Sequence, residues 1–209
     1  NTLVASHILG ALAQILPVIG APSTRVIVAE PEFAPYLDLL ERSRFTPVPL
    51  PLDGEGLQLD AFIQAAEAGA KAVILQPRLH NPSGVVTSRQ RLQAIAEVCI
   101  KHAMLIFDGD FYGDLLPVPR MTAAEWAPQH TIYLKSFSKD IHPDIRVAVI
   151  NGPPRLIHGA RRRWVGGFEV SRVNQDLLRL LLTDPERLEH TRRIREEYWR
   201  RQTVFIAIL

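Results

Sequence analysis

The sequence predicts an α/β fold with a mostly parallel sheet flanked by helices, and three observations carry that expectation. Short continuous apolar runs alternate with longer stretches of helical period, which is how strands covered on both faces by crossover helices read. The chain has 209 residues, 47% of them hydrophobic and 22% charged, enough to close a sizeable core without a metal or a disulfide. Several of the apolar runs are followed directly by polar, turn-forming loops, as strands are in open α/β sheets.

The elements follow in order. Helical period predicts a first helix over 7–16, and the run Val26-Ile27-Val28-Ala29 the first strand. A helix over 34–43 then leads to a strand at 46–50, and a helix over 59–68 to the strand 72–75. The turn Asn81-Pro82-Ser83-Gly84 precedes a helix over 89–102, whose start is signalled by the capping-box spacing of Thr87 and Gln90. Strands are expected at 104–107, 131–134 and 147–150, and a helix at 155–165. The remaining residues carry helices over 173–182 and 185–209 with no strand between them. Residues 1–154 are therefore expected to form the sheet domain. Residues 155–209 are expected to form a helical segment leading into a second, smaller domain, because from Asp184 the texture becomes charged with a sparse stripe of Leu188, Ile194, Tyr198 and Phe205.

Composition excludes several classes of function. Cys99 is the only cysteine, so there is no disulfide framework, and a reducing, cytoplasmic location is expected. The net charge of +2 is small and the arginines near the end alternate with glutamates, which leaves no polyanion footprint on this chain. Arg161, Arg162 and Arg163 are adjacent on a helix and point in different directions. No run approaches eighteen apolar residues and no basic-apolar-small leader opens the chain, so neither a membrane span nor a targeting segment is expected. No metal site is expected either. The chain starts at Asn1 and stops inside the apolar run 204–209, which reads as a piece of a longer protein.

Three loops follow predicted strands and could converge although distant in sequence: 78–84, 108–114 and 136–146. They hold Asn81-Pro82-Ser83-Gly84, then the acidic-aromatic stretch from Asp108 to Asp114, then Ser136-Phe137-Ser138-Lys139 with Arg146 seven residues on. In that order and spacing the chain resembles the class I/II aminotransferase domain across roughly residues 4 to 209. Tyr112-Gly113-Asp114-Leu115 and the tail from His190 to Arg201 look most like the MocR branch of GntR-type transcription regulators, which fuse a winged-helix head to an aminotransferase-like body.

The resemblance implies pyridoxal 5'-phosphate as cofactor, held by Lys139 as a Schiff base. Ser136, Ser138 and Arg146 match the phosphate contacts, with turn capping and a surface ion pair as the bland alternatives. Asn81 matches the donor to the ring hydroxyl oxygen, or serves only its turn. Phe33 matches the ring-stacking aromatic, or is a core phenylalanine. Ser6, before His7 at a helix N-terminus, matches a second phosphate-binding turn, with Ala5 where the family has glycine. Two registers stay open for the aspartate that the family sets against the pyridine nitrogen. Anchoring on Tyr112 puts Gly109 there; a shift by one puts Asp108 there and Phe111 at the family's tyrosine. Asp144, Ala148 and Lys135 stand where the family has glycine or a small residue, and Asp144 beside a phosphate would repel it unless paired.

Three functions compete. One is an effector-sensing domain that takes an amino acid or amine and reaches DNA through a domain absent from this chain. Another is a free aminotransferase acting on an amino acid and a 2-oxo acid, which needs a carboxylate at the pyridine nitrogen. A cofactor-free dimerisation scaffold is a third. A homodimer is implied by resemblance.

Overall fold

The computed structural model describes residues 1–116, 119–163 and 170–208, with only the backbone described at Asp114. The outer ends of two expected helices, Val165 and Leu209, lie outside these residues. Eight strands form one sheet: β1 (Thr2–Ala5), β2 (Arg25–Glu30), β3 (Thr46–Asp53), β4 (Gly56–Leu57), β5 (Ala72–Leu75), β6 (Leu105–Asp110), β7 (Thr131–Ser136) and β8 (Ala148–Asn151). Their order across the sheet is β1-β8-β7-β6-β5-β2-β3-β4. The central five, β3, β2, β5, β6 and β7, are mutually parallel, while β8, β1 and β4 pair antiparallel at the two sides.

Seven helices accompany them among the described residues: α1 (Ile8–Ile19), α2 (Ala34–Arg42), α3 (Leu59–Glu67), α4 (Arg89–Lys101), α5 (Pro154–Arg163), α6 (Arg172–Thr183) and α7 (Arg187–Ile208). Side chains alternate across the strands as the pleat requires. Val26, Val28, Ile74 and Phe107 pack with Leu12, Ile15 and Leu16 of α1, Leu40 of α2 and Ile157 of α5 on one face. Ile27, Val73 and Ile106 pack with Phe62 of α3 and Leu92, Ile95 and Cys99 of α4 on the other. The result is a three-layer sandwich with a core on each side of the sheet. α5 belongs to it, since Leu156, Ile157 and Ala160 share the cluster of α1.

Strand β3 carries Pro47, Pro49 and Pro51 in register with Val26, Val28 and Glu30. Alternate residues of a strand turn their amides to the same side, so all three missing N–H groups fall on the side away from β2, where β4 pairs only with Leu52 and Asp53. β1 and β4 were not expected from sequence, because four and two residues at sheet borders give little pattern to read. β6 runs three residues beyond its expected end, through Asp108, Gly109 and Asp110. Its polar end is buried where groups distant in sequence donate to Asp108 and Asp110.

In the sheet, the connection from β2 leads to β3 on one side while β5, β6 and β7 lie on the other. The loops leaving β2 and β5 therefore diverge from a shared crevice, the place where α/β sheets hold ligands.

Candidate functional site

A cavity of about 490 Å³ opens at that crevice, lined in part by Phe33, Asn81, Tyr112, Ser136, Ser138, Lys139 and Arg146. Seven of the nine residues singled out from sequence thus meet on one wall set, contributed by four separate segments of chain. Lys139 is exposed and lines the cavity with Asn81 and Tyr112.

Each segment has a local reason for its position. Asn81 sits in a turn closed by Gly84 N–H donating to His80 O at 2.7 Å and His80 N–H to Val85 O at 2.8 Å, with Gly84 at φ +74°, a conformation that favours glycine. This turn is anchored from behind by Arg78, which is 4% exposed and donates to both carboxylate oxygens of Asp110 at 3.1 Å. Asp110 also accepts from Tyr133 Oη at 2.7 Å and from Gly113 N at 3.0 Å. Phe33 caps α2 and meets Tyr36 edge-on, with ring centroids 5.5 Å apart. Glu32 beside it accepts from Phe33 N at 2.7 Å and Gln76 Nε2 at 3.2 Å, joining the loops after β2 and β5. In the last loop Ser138 Oγ donates to Ile145 O at 3.0 Å, and Arg146 Nη1 stands 3.5 Å from Ser138 Oγ. These bonds fold residues 138–146 back on themselves and bring Arg146 to the cavity side.

Two expected residues are elsewhere. Asp108 faces α3 and α4, the opposite side of the sheet, because it shares the parity of Ile106. Its Oδ2 accepts from Thr122 Oγ1 at 2.6 Å and Ala123 N at 2.8 Å. Burial pushes its carboxyl up to about 6, against the downward pull of those two donors. Asp108 therefore does not line the cavity. Gly109 is on the cavity face, and a methyl group built on it would lie 2.5 Å from Phe111 Cζ, so the phenylalanine ring occupies the space an aspartate side chain would need. Ser6 does not line the cavity either: its successors His7, Ile8 and Leu9 do, since α1 starts at Ile8 with His7 as its cap.

The glycine replacements resolve in a similar way. Lys135 turns to Asp140 at 2.6 Å, with its ammonium 5.4 Å from the Phe137 ring centroid, and does not line the cavity. Asp144 is 92% exposed in its side chain, 3.7 Å from His142, and its carboxylate is not part of the lining. Sequence reasoning missed Tyr36, Gln76 and Pro143 in the cavity wall. Gln76 had a readable signal, being the first residue past a buried strand; Tyr36 had only its one-turn spacing from Phe33.

Chemically, the cavity presents a primary amine, two hydroxyls, a guanidinium, an amide and a phenol around aromatic walls. Such a set suits a phosphorylated, hydroxylated aromatic aldehyde. Among the described residues the lining holds no carboxylate, and a ring nitrogen in that space would find none of them as an anionic partner.

The profile of the aminotransferase class I and II family matches residues 2–209. The chain is 31% identical over 199 residues to the vitamin B6 salvage pathway transcriptional repressor PtsJ of Salmonella typhimurium, covering 90% of this chain and 45% of that protein. It is 25% identical over 166 residues to the probable rhizopine catabolism regulatory protein MocR of Rhizobium meliloti, covering 77% and 33%. Its fold matches the aspartate aminotransferase of Thermus thermophilus solved with maleate, with a TM-score of 0.91 at 22% identity, over 99% of this chain and 56% of that one. The chain thus spans less than half the length of these two regulators.

Proposed function

Because this chain belongs to the class I and II aminotransferase family, we propose that it is the pyridoxal-phosphate-binding, effector-sensing domain of a MocR/GntR-type transcription regulator. The observation that carries this reading is the meeting of Lys139, Ser136, Ser138, Arg146, Asn81 and Tyr112 at one cavity. When bound, pyridoxal phosphate supplies an aldehyde that combines reversibly with primary amines. Lys139 is the residue that would hold it and yield its place to an amino-containing effector. Ser136, Ser138 and Arg146 would neutralise the phosphate, Asn81 and Tyr112 would donate to the ring oxygen, and Phe33 would lie against the ring.

The competing reading is a free aminotransferase. It requires an anion against the pyridine nitrogen, and both carboxylates of β6 are engaged on the far face, Asp108 by Thr122 and Ala123 and Asp110 by Arg78 and Tyr133. That disposition, together with the regulator relatives, favours sensing over turnover. The same reading assigns DNA contact to a domain outside this chain, and a homodimer and a cytoplasmic location accord with it. Among the described residues no helix is long and apolar enough to cross a membrane. Residues 1–154 are proposed as the sheet domain and 155–209 as the segment leading to a smaller one, with α5 packed on the former.

The test uses the full-length protein. Incubation with pyridoxal phosphate should give a visible absorbance band that Lys139→Ala abolishes, amines should shift that band, and DNA affinity should change in step. Sustained transamination of amino acids at enzyme-like rates would instead establish the second reading.

A further inference from the structure

We propose that a second cavity, between the loop of Lys139 and the turn joining α6 to α7, binds an organic cation with N–H donors on an apolar body, and that Asp140 receives its head group; the assignment does not rest on the cofactor reading above. The cavity measures about 610 Å³, within the range of small-molecule sites. Loop 138–146 has a side toward each cavity, with Lys139 lining the first and Asp140 the second. Asp140 is 6% exposed. Its Oδ2 accepts from Lys135 Nζ at 2.6 Å, while Oδ1 is buried with no hydrogen-bond partner among the described residues. An ionised carboxylate only accepts, so an unmet oxygen in a cavity wall calls for a donor. Burial raises the Asp140 carboxyl above its ordinary value despite the Lys135 charge, so one ammonium does not fully offset the desolvation of this acid.

The rest of the lining favours a cation on a carbon stem. Among the described residues it adds the carboxylates of Asp144, Asp184 and Glu186 against one permanent cation, Arg187. Ile141, Ile145, Leu177 and Leu181 supply the apolar wall, and Ile145 packs with Leu178 in the cluster that seats α6 on the loop. Beside such walls little water screens the Asp140 charge, which strengthens its attraction for a cation. A metal ion does not suit the place, since among the described residues no group of three histidine, cysteine or acidic side chains could hold one. An ammonium or guanidinium does suit it. Either gives Oδ1 a charge-assisted hydrogen bond and lays its carbon chain on Leu177 and Leu181.

The probe is n-butylguanidinium, which forms no stable Schiff base with an aldehyde and so does not compete at the cofactor's reactive carbon; n-butylurea is its neutral counterpart of the same shape. Calorimetric titration of the full-length protein, with pyridoxal phosphate present, should show n-butylguanidinium binding at least about tenfold tighter than n-butylurea, the scale of one hydrogen bond to a charged group. Asp140→Asn should remove that preference. Because Asp140 also pairs with Lys135, Leu177→Lys decides the matter if Asp140→Asn fails to fold. It places an ammonium at the cavity from an exposed position of α6 and should weaken n-butylguanidinium at least about tenfold with the unfolding temperature unchanged. Equal binding of the two compounds, no binding of n-butylguanidinium, or binding that survives Leu177→Lys would each overturn the assignment, as would an Asp140→Asn protein that folds and keeps the preference. The cofactor reading is judged separately, by the absorbance band that Lys139→Ala abolishes.

Discussion

At the scale of single residues, the end of β6 decides what the cavity can do. Asp108 is buried at 1% exposure with one carboxylate oxygen, Oδ1, lacking a hydrogen-bond partner. Its folded value of about 6 lies above the ordinary aspartate value of 3.8, raised first by burial. A raised acid favours the protonated fold, so the folded state binds the extra proton between those two values and stability falls as pH rises through that window. Asp108→Asn, which keeps an acceptor for Thr122 and Ala123, should flatten the dependence of stability on pH between 4 and 6. The full span is worth roughly 3 kcal/mol, read by denaturant unfolding across pH; an unchanged slope would remove Asp108 as its source. Gly109 gives a second prediction. Gly109→Asp should destabilise by about 1 to 3 kcal/mol through overpacking against Phe111, and pairing it with Phe111→Ala should recover the unfolding temperature. If the aspartate then reaches the pyridine nitrogen, amino-group transfer in the double variant should exceed that of the unaltered protein.

At the scale of elements, buried polar ties hold the site loops together. Arg78 and Asp110 join the turn of Asn81 to the end of β6, and Lys135 and Asp140 join β7 to the loop of Lys139. Removing one member of a buried pair leaves the other charge without its counterpart, so Arg78→Met should cost about 3 to 5 kcal/mol. Arg78→Met with Asp110→Asn should cost less than the single change, and additive losses in unfolding experiments would contradict this coupling. Gly113 sits above the Lys135–Asp140 pair at φ +50°, with Asp140 Oδ2 and Lys135 Nζ in the space a methyl group would take. Gly113→Ala should therefore separate that pair and lower pyridoxal phosphate affinity as well as stability. By contrast, the Glu189 pairs with Arg192 and Arg193 and the Glu197 pairs with Arg200 and Arg201 are fully solvated on α7. They hold both glutamates well below the usual carboxylate range, yet high salt should leave cofactor binding untouched by them.

At the scale of the whole molecule, one end of the sheet carries the cavity, while the second half of the last helix is exposed. Tyr198, Trp199, Val204, Phe205, Ile206 and Ile208 of α7 are exposed. The intact protein is expected to be a dimer by light scattering, and a monomer at working concentration would contradict that. A dimer whose apparent mass is unaffected by Lys139→Ala would further separate assembly from cofactor binding.

The sequence by itself determined the fold class, and it singled out seven residues that the structure brings to one cavity. Strand and helix periods are local, and the order of Asn81, Tyr112, Ser136, Ser138, Lys139 and Arg146 is a pattern that survives without coordinates. Two borders were illegible because β1 and β4 are too short to have a period. Only the tertiary structure decided which way the residues of β6 face, since a shift of one residue exchanges the two sides of a strand. That choice was made by Thr122, Ala123, Arg78 and Tyr133, donors remote in the chain that draw both aspartates away and leave Gly109 and Phe111 to the cavity.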